Sequence, residues 1–165
     1  MMTSVKDINR ALTEKSVNHF YCTFLKVDKN SANILGRQVK SIGRPNLNYN
    51  DPKYRHKGHR VSEPGRIDFG DVTLVFFDDA ESLVTKAIYR QLYKQSGRVP
   101  NISHKGIPFD INVKVHTPDH RLAEEYTLKE CWIISVDHSE QIYADSTNNY
   151  ITCRIRYNTA DYQFL

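Results

Sequence analysis

The chain has 165 residues, 39% hydrophobic and 25% charged, enough for one soluble globular domain with a buried core. Its 23 Lys and Arg against 19 Asp and Glu leave a formal charge of +4, too weak by itself to indicate nucleic-acid binding. No apolar run approaches the roughly 18 residues of a spanning helix. The first residues lack a signal-peptide stretch, so the chain is expected to be made and kept in a cytoplasm.

In chain order, Ser4 is placed to cap a short helix with Val5, Ile8 and Leu12 on one face. Such a helix is marginal alone and needs its own domain or a neighbouring subunit to pack on. Residues 17–27 read as the first strand, with Phe20, Cys22 and Phe24 on one face. Residues 28–31 read as a turn, and 34–42 as a weaker strand closing a hairpin. Residues 43–64 form an extended loop holding Pro45, Pro52, Pro64 and the basic run 53–60. A loop of about 20 residues implies a function or a partner that orders it. A short strand near 58–61 fits inside it.

Residues 66–77 carry the strongest strand signal, and the apolar run 72–77 predicts cover on both faces. Asp78 with Glu81 reads as a capping box. Ala80, Leu83, Val84, Ala87, Ile88 and Leu92 then make one helical stripe, ended by Gly97. Leu83, Ile88 and Leu92 are expected to pack on the sheet, so that Leu83→Asp would unfold the subunit. Further strands follow at 110–115, at 126–136 around Trp132, and at 150–157. Ile142 and Tyr143 begin a hairpin arm, and 145–149 is a turn cluster. The fold class is α+β and mostly β: an antiparallel barrel or sandwich flanked by one long helix. It spans 1–165 as one domain, with 1–16 as an N-terminal arm.

No catalytic constellation appears. GxSxG, P-loop and GxGxxG motifs are absent. Asp68, Asp71, Asp78 and Asp79 cluster, but a helix start accounts for the last two. His56 and His59 form an HxxH between Arg55, Lys57 and Arg60, whose charges oppose a metal ion. Cys22, Cys131 and Cys153 show no CxxC and read as buried, reduced side chains, with cross-linking between subunits as the alternative. The run 53–60, with Tyr54 for stacking, reads either as a grip on phosphate or as a loop that meets a partner protein. Ten tyrosines are many for this length. Tyr49, Tyr54, Tyr143, Tyr157 and Tyr162 suit either strand surfaces or half-wet interfaces.

Three stretches carry a resemblance: 65–79, leading into an acidic turn; the helix to Tyr93 with its Gly-containing loop; and 130–157, followed by Asp161 and Tyr162. Residues 18–24 add a similar opening strand. Together they resemble the tail tube protein family of contractile-tailed bacteriophages. Ile133 and Ile134 stand where that family often has Pro, and the loop 50–60 is more charged. The resemblance implies six subunits per ring, a continuous inner β-barrel and rings stacked into a tube that conducts DNA to the host. It implies a virion protein with no catalytic role, no cofactor and no metal. Its implied partners are further copies of itself, the sheath, baseplate hub and terminator proteins, the tape measure protein and genomic DNA, but no membrane. A baseplate–tube adapter or tail-completion ring is the neighbouring reading; a single-stranded nucleic-acid-binding module is the reading from another class. Inter-subunit contact is assigned to Lys53, Tyr54, Arg55, Lys57, Arg60, Tyr49 and Tyr162.

Overall fold

In a computed structural model, residues 19–49, 53–56, 58–62, 65–96, 106–140 and 149–164 are described, with backbone only at 53–56 and 59–62. The helix after Ser4, the cap at Gly97, the arm at Ile142 and Tyr143, most of the 145–149 turn, and Lys57 lie outside them.

The organising element is a strand too long for one sheet. Strand β9 runs Leu122–His138, 17 residues, or about 55 Å of extended chain. Its first half pairs with β8 (Phe109–His116), which pairs with β1 (His19–Leu25). Its second half pairs with β10 (Tyr150–Arg156), then β7 (Val72–Phe77), then β2 (Val39–Ile42). Strand β11 (Thr159–Phe164) continues the path of β10 along the first half of β9. All these pairings are antiparallel, and β9 belongs to both layers of a sandwich.

The bend sits at Glu130, whose φ of +54° is left-handed. A non-glycine residue there costs about 1–2 kcal/mol. Three contacts hold it. The Glu130 N–H donates to Asp110 Oδ1 at 2.9 Å. Lys26 Nζ lies 2.8 Å from the other Asp110 oxygen. Asn158 Nδ2 donates to Glu130 Oε2 at 2.5 Å. The registers of β8 and β10 shift beside this bend, as expected at a bulge.

Between the layers pack Phe24, Leu74, Phe76, Ile111, Val113, Leu128, Ile151, Cys153 and Ile155, all buried. The three cysteines are buried and free, and burial pushes each thiol up to about 12. Strand β7 buries alternate residues and leaves Thr73 exposed, so only one face is fully covered. The expected double cover is therefore replaced by a half-wet outer face. The stretch 66–77 is also two strands: β6 (Ile67–Phe69) belongs to a different sheet from β7.

The weak strand 34–42 is mostly helix. Helix α1 spans Lys29–Gln38, and only Val39–Ile42 is extended. The Asp28 read as a turn residue is its N-cap: Ser31 N–H donates to Asp28 Oδ2 at 3.0 Å. Leu35 is buried. At Gly36 a Cβ would stand 2.8 Å from the Cys22 carbonyl oxygen, so glycine lets α1 lie close on β1. One flanking helix thus becomes two.

Helix α2 spans Leu83–Gln95. The capping acid is Asp79, not Asp78: its oxygens accept from Leu83 N–H and Val84 N–H, both at 3.0 Å. Asp78 accepts only a 3.4 Å bond from Thr85 Oγ1. The buried stripe is Val84, Ala87, Ile88 and Gln91, with Leu92 half-buried. Ala80 lies before the helix and is exposed, and Leu83 is 38% exposed. The expectation that Leu83→Asp unfolds the chain is therefore wrong.

Two measurements check this packing. Val84→Asp is expected to abolish cooperative unfolding, whereas Leu83→Asp shifts stability by no more than about 0.5 kcal/mol in urea melts. Thiol reagent at pH 8 is expected to label none of Cys22, Cys131 or Cys153 until denaturant is added.

Candidate assembly surfaces

Sheet edges decide which surfaces remain open. Strand β9 exposes an edge along its second half, and α2 covers it. Gln95 Nε2 donates to the Ile133 carbonyl at 2.7 Å, and Ile133 N–H donates to Gln95 Oε1 at 2.8 Å. One side-chain amide thereby makes both hydrogen bonds that a neighbouring strand would make. Nearby, Gln91 Nε2 donates to the Ile107 carbonyl at 3.3 Å. Tyr89 stacks on His138, with centroids 6.1 Å apart. These contacts occupy this edge at Ile133 and at the His138 side chain.

The opposite layer has no such cover. Its order is β1, β8, β9, β11, and among the described residues neither β1 nor β11 has a second strand beside it. Tyr21 and Leu25 on β1 are 63% and 43% exposed, and Phe164 on β11 is 76% exposed. On the outer face of this layer acids meet lysines: Lys114 with Glu125, Lys129 with Asp161, and Lys26 with Asp110. Such a face is charge-balanced and polar, while its edges carry the exposed apolar groups.

The segment 43–64 is not a structureless loop. Strand β3 (Leu47–Tyr49) pairs with β6, and β4 (Lys53–His56) pairs with β5 (His59–Ser62). These are two separate two-stranded antiparallel sheets outside the sandwich sheets, with β4 and β5 forming a ribbon. Gly58, at φ +84°, sits in the turn at its tip. The short strand expected near 58–61 is β5.

Just before β7, Asp71 receives 3.0 Å from Arg154 Nη2 and 2.9 Å from Arg156 Nε. These guanidinium groups, Arg156 first, hold the Asp71 carboxyl below its ordinary value of 3.8. Trp132, Phe69 and Tyr157 line the same cleft.

The residues assigned to contact fall in two places. Tyr49, 59% exposed, lies on β3. Lys53, Tyr54 and Arg55 lie on β4 and Arg60 on β5, so the pairing of these two strands brings these four together, while Tyr49 belongs to the separate β3–β6 sheet. Lys57 lies outside the described residues. Tyr162 lies apart on β11, half-buried, with its ring 5.3 Å from Tyr126 and 5.5 Å from Phe164. Tyr157, grouped with the interface tyrosines, is buried against Phe69. Sequence reasoning missed the edge residues Tyr21, Leu25 and Phe164 and the Asp71 clamp. The alternation of Arg154 and Arg156 with Ile155 held the signal for the clamp: it sets both arginines on one face. Their partner is 83 residues away from Arg154 and carried none.

A depressed carboxylate stabilises the fold above its unfolded pKa and stops doing so as pH falls through its folded value. The Asp71 contribution is thus full above about pH 4 and fades below 3.8. Asp71→Asn is expected to lower stability by at most about 1 kcal/mol at pH 7, because the pairs are largely exposed. The difference from the parent chain is expected to vanish in urea melts near pH 2.

No protein-family model matches the chain, and no curated protein matches it in sequence. Its fold does have solved counterparts. A chain in the extended sheath–tube complex of the extracellular contractile injection system PVC superposes with a TM-score of 0.70 at 11% identity, covering 99% of this chain and 100% of that one. The anti-feeding prophage tube-terminating cap gives 0.67 at 12% identity, covering 88% of each chain. The PVC sheath/tube terminator gives 0.65 at 12%, covering 90% of this chain and 95% of that one. The mostly-β, tube-like sandwich fold is therefore shared with components of contractile injection systems.

Proposed function

We propose that this chain is a structural subunit of the tube of a contractile tail, assembling as stacked rings of six. The observation that carries this reading is the pattern of edges. In one layer β1 and β11 are open edges; in the other β2 ends the path and Gln95 of α2 occupies both backbone groups of Ile133 on β9, within a fold that matches a chain of a sheath–tube complex end to end. Open edges are aggregation hazards in a monomer, and pairing β1 of one copy beside β11 of the next removes both. A ring closed in this way builds one continuous barrel, with the charge-balanced face of that layer as a wall.

Within this reading the particle is a bacteriophage virion, and the tube conducts genomic DNA. Its partners are further copies, the sheath, baseplate hub and terminator proteins, and the tape measure protein in the lumen. The role is structural rather than catalytic. The likeness to a tube-terminating cap and to a terminator supports a second reading, an end ring or adapter that caps such a tube.

Electron microscopy and sedimentation of the purified chain across concentration separate these readings. Sixfold rings that grow into hollow tubes are expected. Single rings that never stack would assign the chain to a tube end. A monodisperse monomer at high concentration, also when seeded with tube ends, would overturn both.

A further inference from the structure

The layer of β1, β8, β9 and β11 is built in rows. Phe20 pairs with Val115, Val115 with Glu124, and Glu124 with Phe164. The next row on the core side runs from Cys22 to Tyr162, and the one after it from Phe24 to Ala160. Between them, on the outer side, rows run from Tyr21 to Gln163 and from Thr23 to Asp161.

The two strands that end these rows carry little to deter another strand. Edge strands are ordinarily guarded by Lys, Pro, inward charges or short length. Strand β1 has 7 residues with no Lys, Arg, Pro or acid among them. Strand β11 has 6, and its one charge, Asp161, is neutralised by Lys129. By contrast β2, which ends the other layer, has 4 residues and carries Lys40. The unguarded rows also stop on uncovered apolar groups. Phe164 is 76% exposed, and Phe20, at the other end of its row, is only partly buried against the core.

Direction and register follow from the pairing inside the layer. Each of its neighbouring strands is antiparallel, so direction alternates and β1 and β11 run opposite ways. Rotation about an axis along the strands therefore brings β11 of one copy antiparallel to β1 of the next. A slip of one residue would turn core side chains outward, so the two faces must match. With Phe164 opposite Phe20 and Thr159 opposite Leu25, every residue of β11 finds a partner on β1. A slip of two in either direction leaves part of β11 beyond the end of β1. In the unslipped register Asp161 faces Thr23 and Gln163 faces Tyr21, so no like charges oppose each other. On the core side Phe164 meets Phe20, and small Ala160 meets large Phe24.

We infer that β11 of one copy joins β1 of the next antiparallel with Phe164 opposite Phe20, so that each row continues across the subunit boundary. The inference rests on the ring reading and adds to it which residues meet. Phe164 is the anchor of the join: it is an aromatic side chain whose cover is supplied by the neighbour's β1. The two edges differ, so the contact is heterologous and passes from copy to copy until the ring closes.

Cysteine pairs on the outer rows of the full chain read the register. Tyr21→Cys with Gln163→Cys reports the inferred register. Tyr21→Cys with Asp161→Cys, and Thr23→Cys with Gln163→Cys, report slips of two residues. Directly opposed positions come within disulfide reach, whereas slipped ones do not. Within one copy Tyr21 and Gln163 stand three strand spacings apart, roughly 14 Å, so an internal bridge cannot form. The native cysteines are buried and stay silent. Mild oxidation of assembled protein is expected to give a ladder of covalent oligomers from the first pair, at least about tenfold stronger than from either slipped pair. Separately, Phe164→Ser is expected to melt like the parent, because the ring is exposed, and to raise the concentration needed for rings by about tenfold.

A stronger ladder from a slipped pair would overturn the register. Sixfold rings that give no ladder from any of the three pairs would overturn the β1–β11 join and leave the ring reading standing. Phe164→Ser rings forming at the parent's concentration would overturn the anchor. A parent chain that stays monomeric at every concentration would overturn the join and the ring reading together.

Discussion

The bend of β9 at Glu130 is the constraint on which the rest of this structure depends. Without it, a 17-residue strand would run on as one flat edge and the two layers could not face each other. A left-handed glutamate is strained, so the bend persists only because other groups over-determine it. Asp110 supplies most of that restraint. It is buried, accepts the Glu130 N–H, and faces Lys26 across the end of β1. The bend therefore ties β1, β8, β9 and the β10–β11 path together at one point. Once it is made, the side chains of both layers converge on a single core.

The helices then do different work. Helix α1 packs close on β1 through Gly36, and Arg90 and Lys94 of α2 reach back to its cap at Asp28. Helix α2 is more than a cover for apolar surface. Through Gln95 it ends hydrogen bonding along one strand edge, which a hydrophobic stripe alone cannot do. The β9 edge is thereby occupied at Ile133, whereas β1, β11 and β2 have no second strand beside them among the described residues. Exposed Tyr21, Leu25 and Phe164 lie on β1 and β11, the two strands that end one layer.

Much of the fold was legible from residue types alone. Alternation placed β1, β8 and β10, because a period of two reports a face against a core whatever the partner strand is, and the apolar run 72–77 placed β7. The helical stripe placed α2. The same local signals failed at boundaries. Asp28 has the same short acidic side chain whether it opens a turn or caps a helix; only the buried slot for Leu35 against β1 chooses the helix. Asp78 and Asp79 are adjacent candidates for one cap, and the tertiary position of β7 decides between them. Leu83 was misread as core because it sits at the first helical position, at the exposed flank of the buried stripe of Val84, Ala87, Ile88 and Gln91. The basic segment was read as a loop because β4 and β5 are short and polar, and their pairing is visible only once the chain turns back on itself.

By itself the sequence determined the class of this protein: a mostly-β chain with one strongly amphipathic helix, buried cysteines and no catalytic grouping. These follow from composition and periodicity, which act over a few residues. Only the tertiary structure decided which strands end the sheets, that Gln95 occupies the β9 edge at Ile133, and that Asp71 clamps Arg154 and Arg156. Those properties depend on contacts between residues distant in the chain. An edge or a surface charge is placed only after the core has fixed where each strand ends, which no local signal in the sequence records.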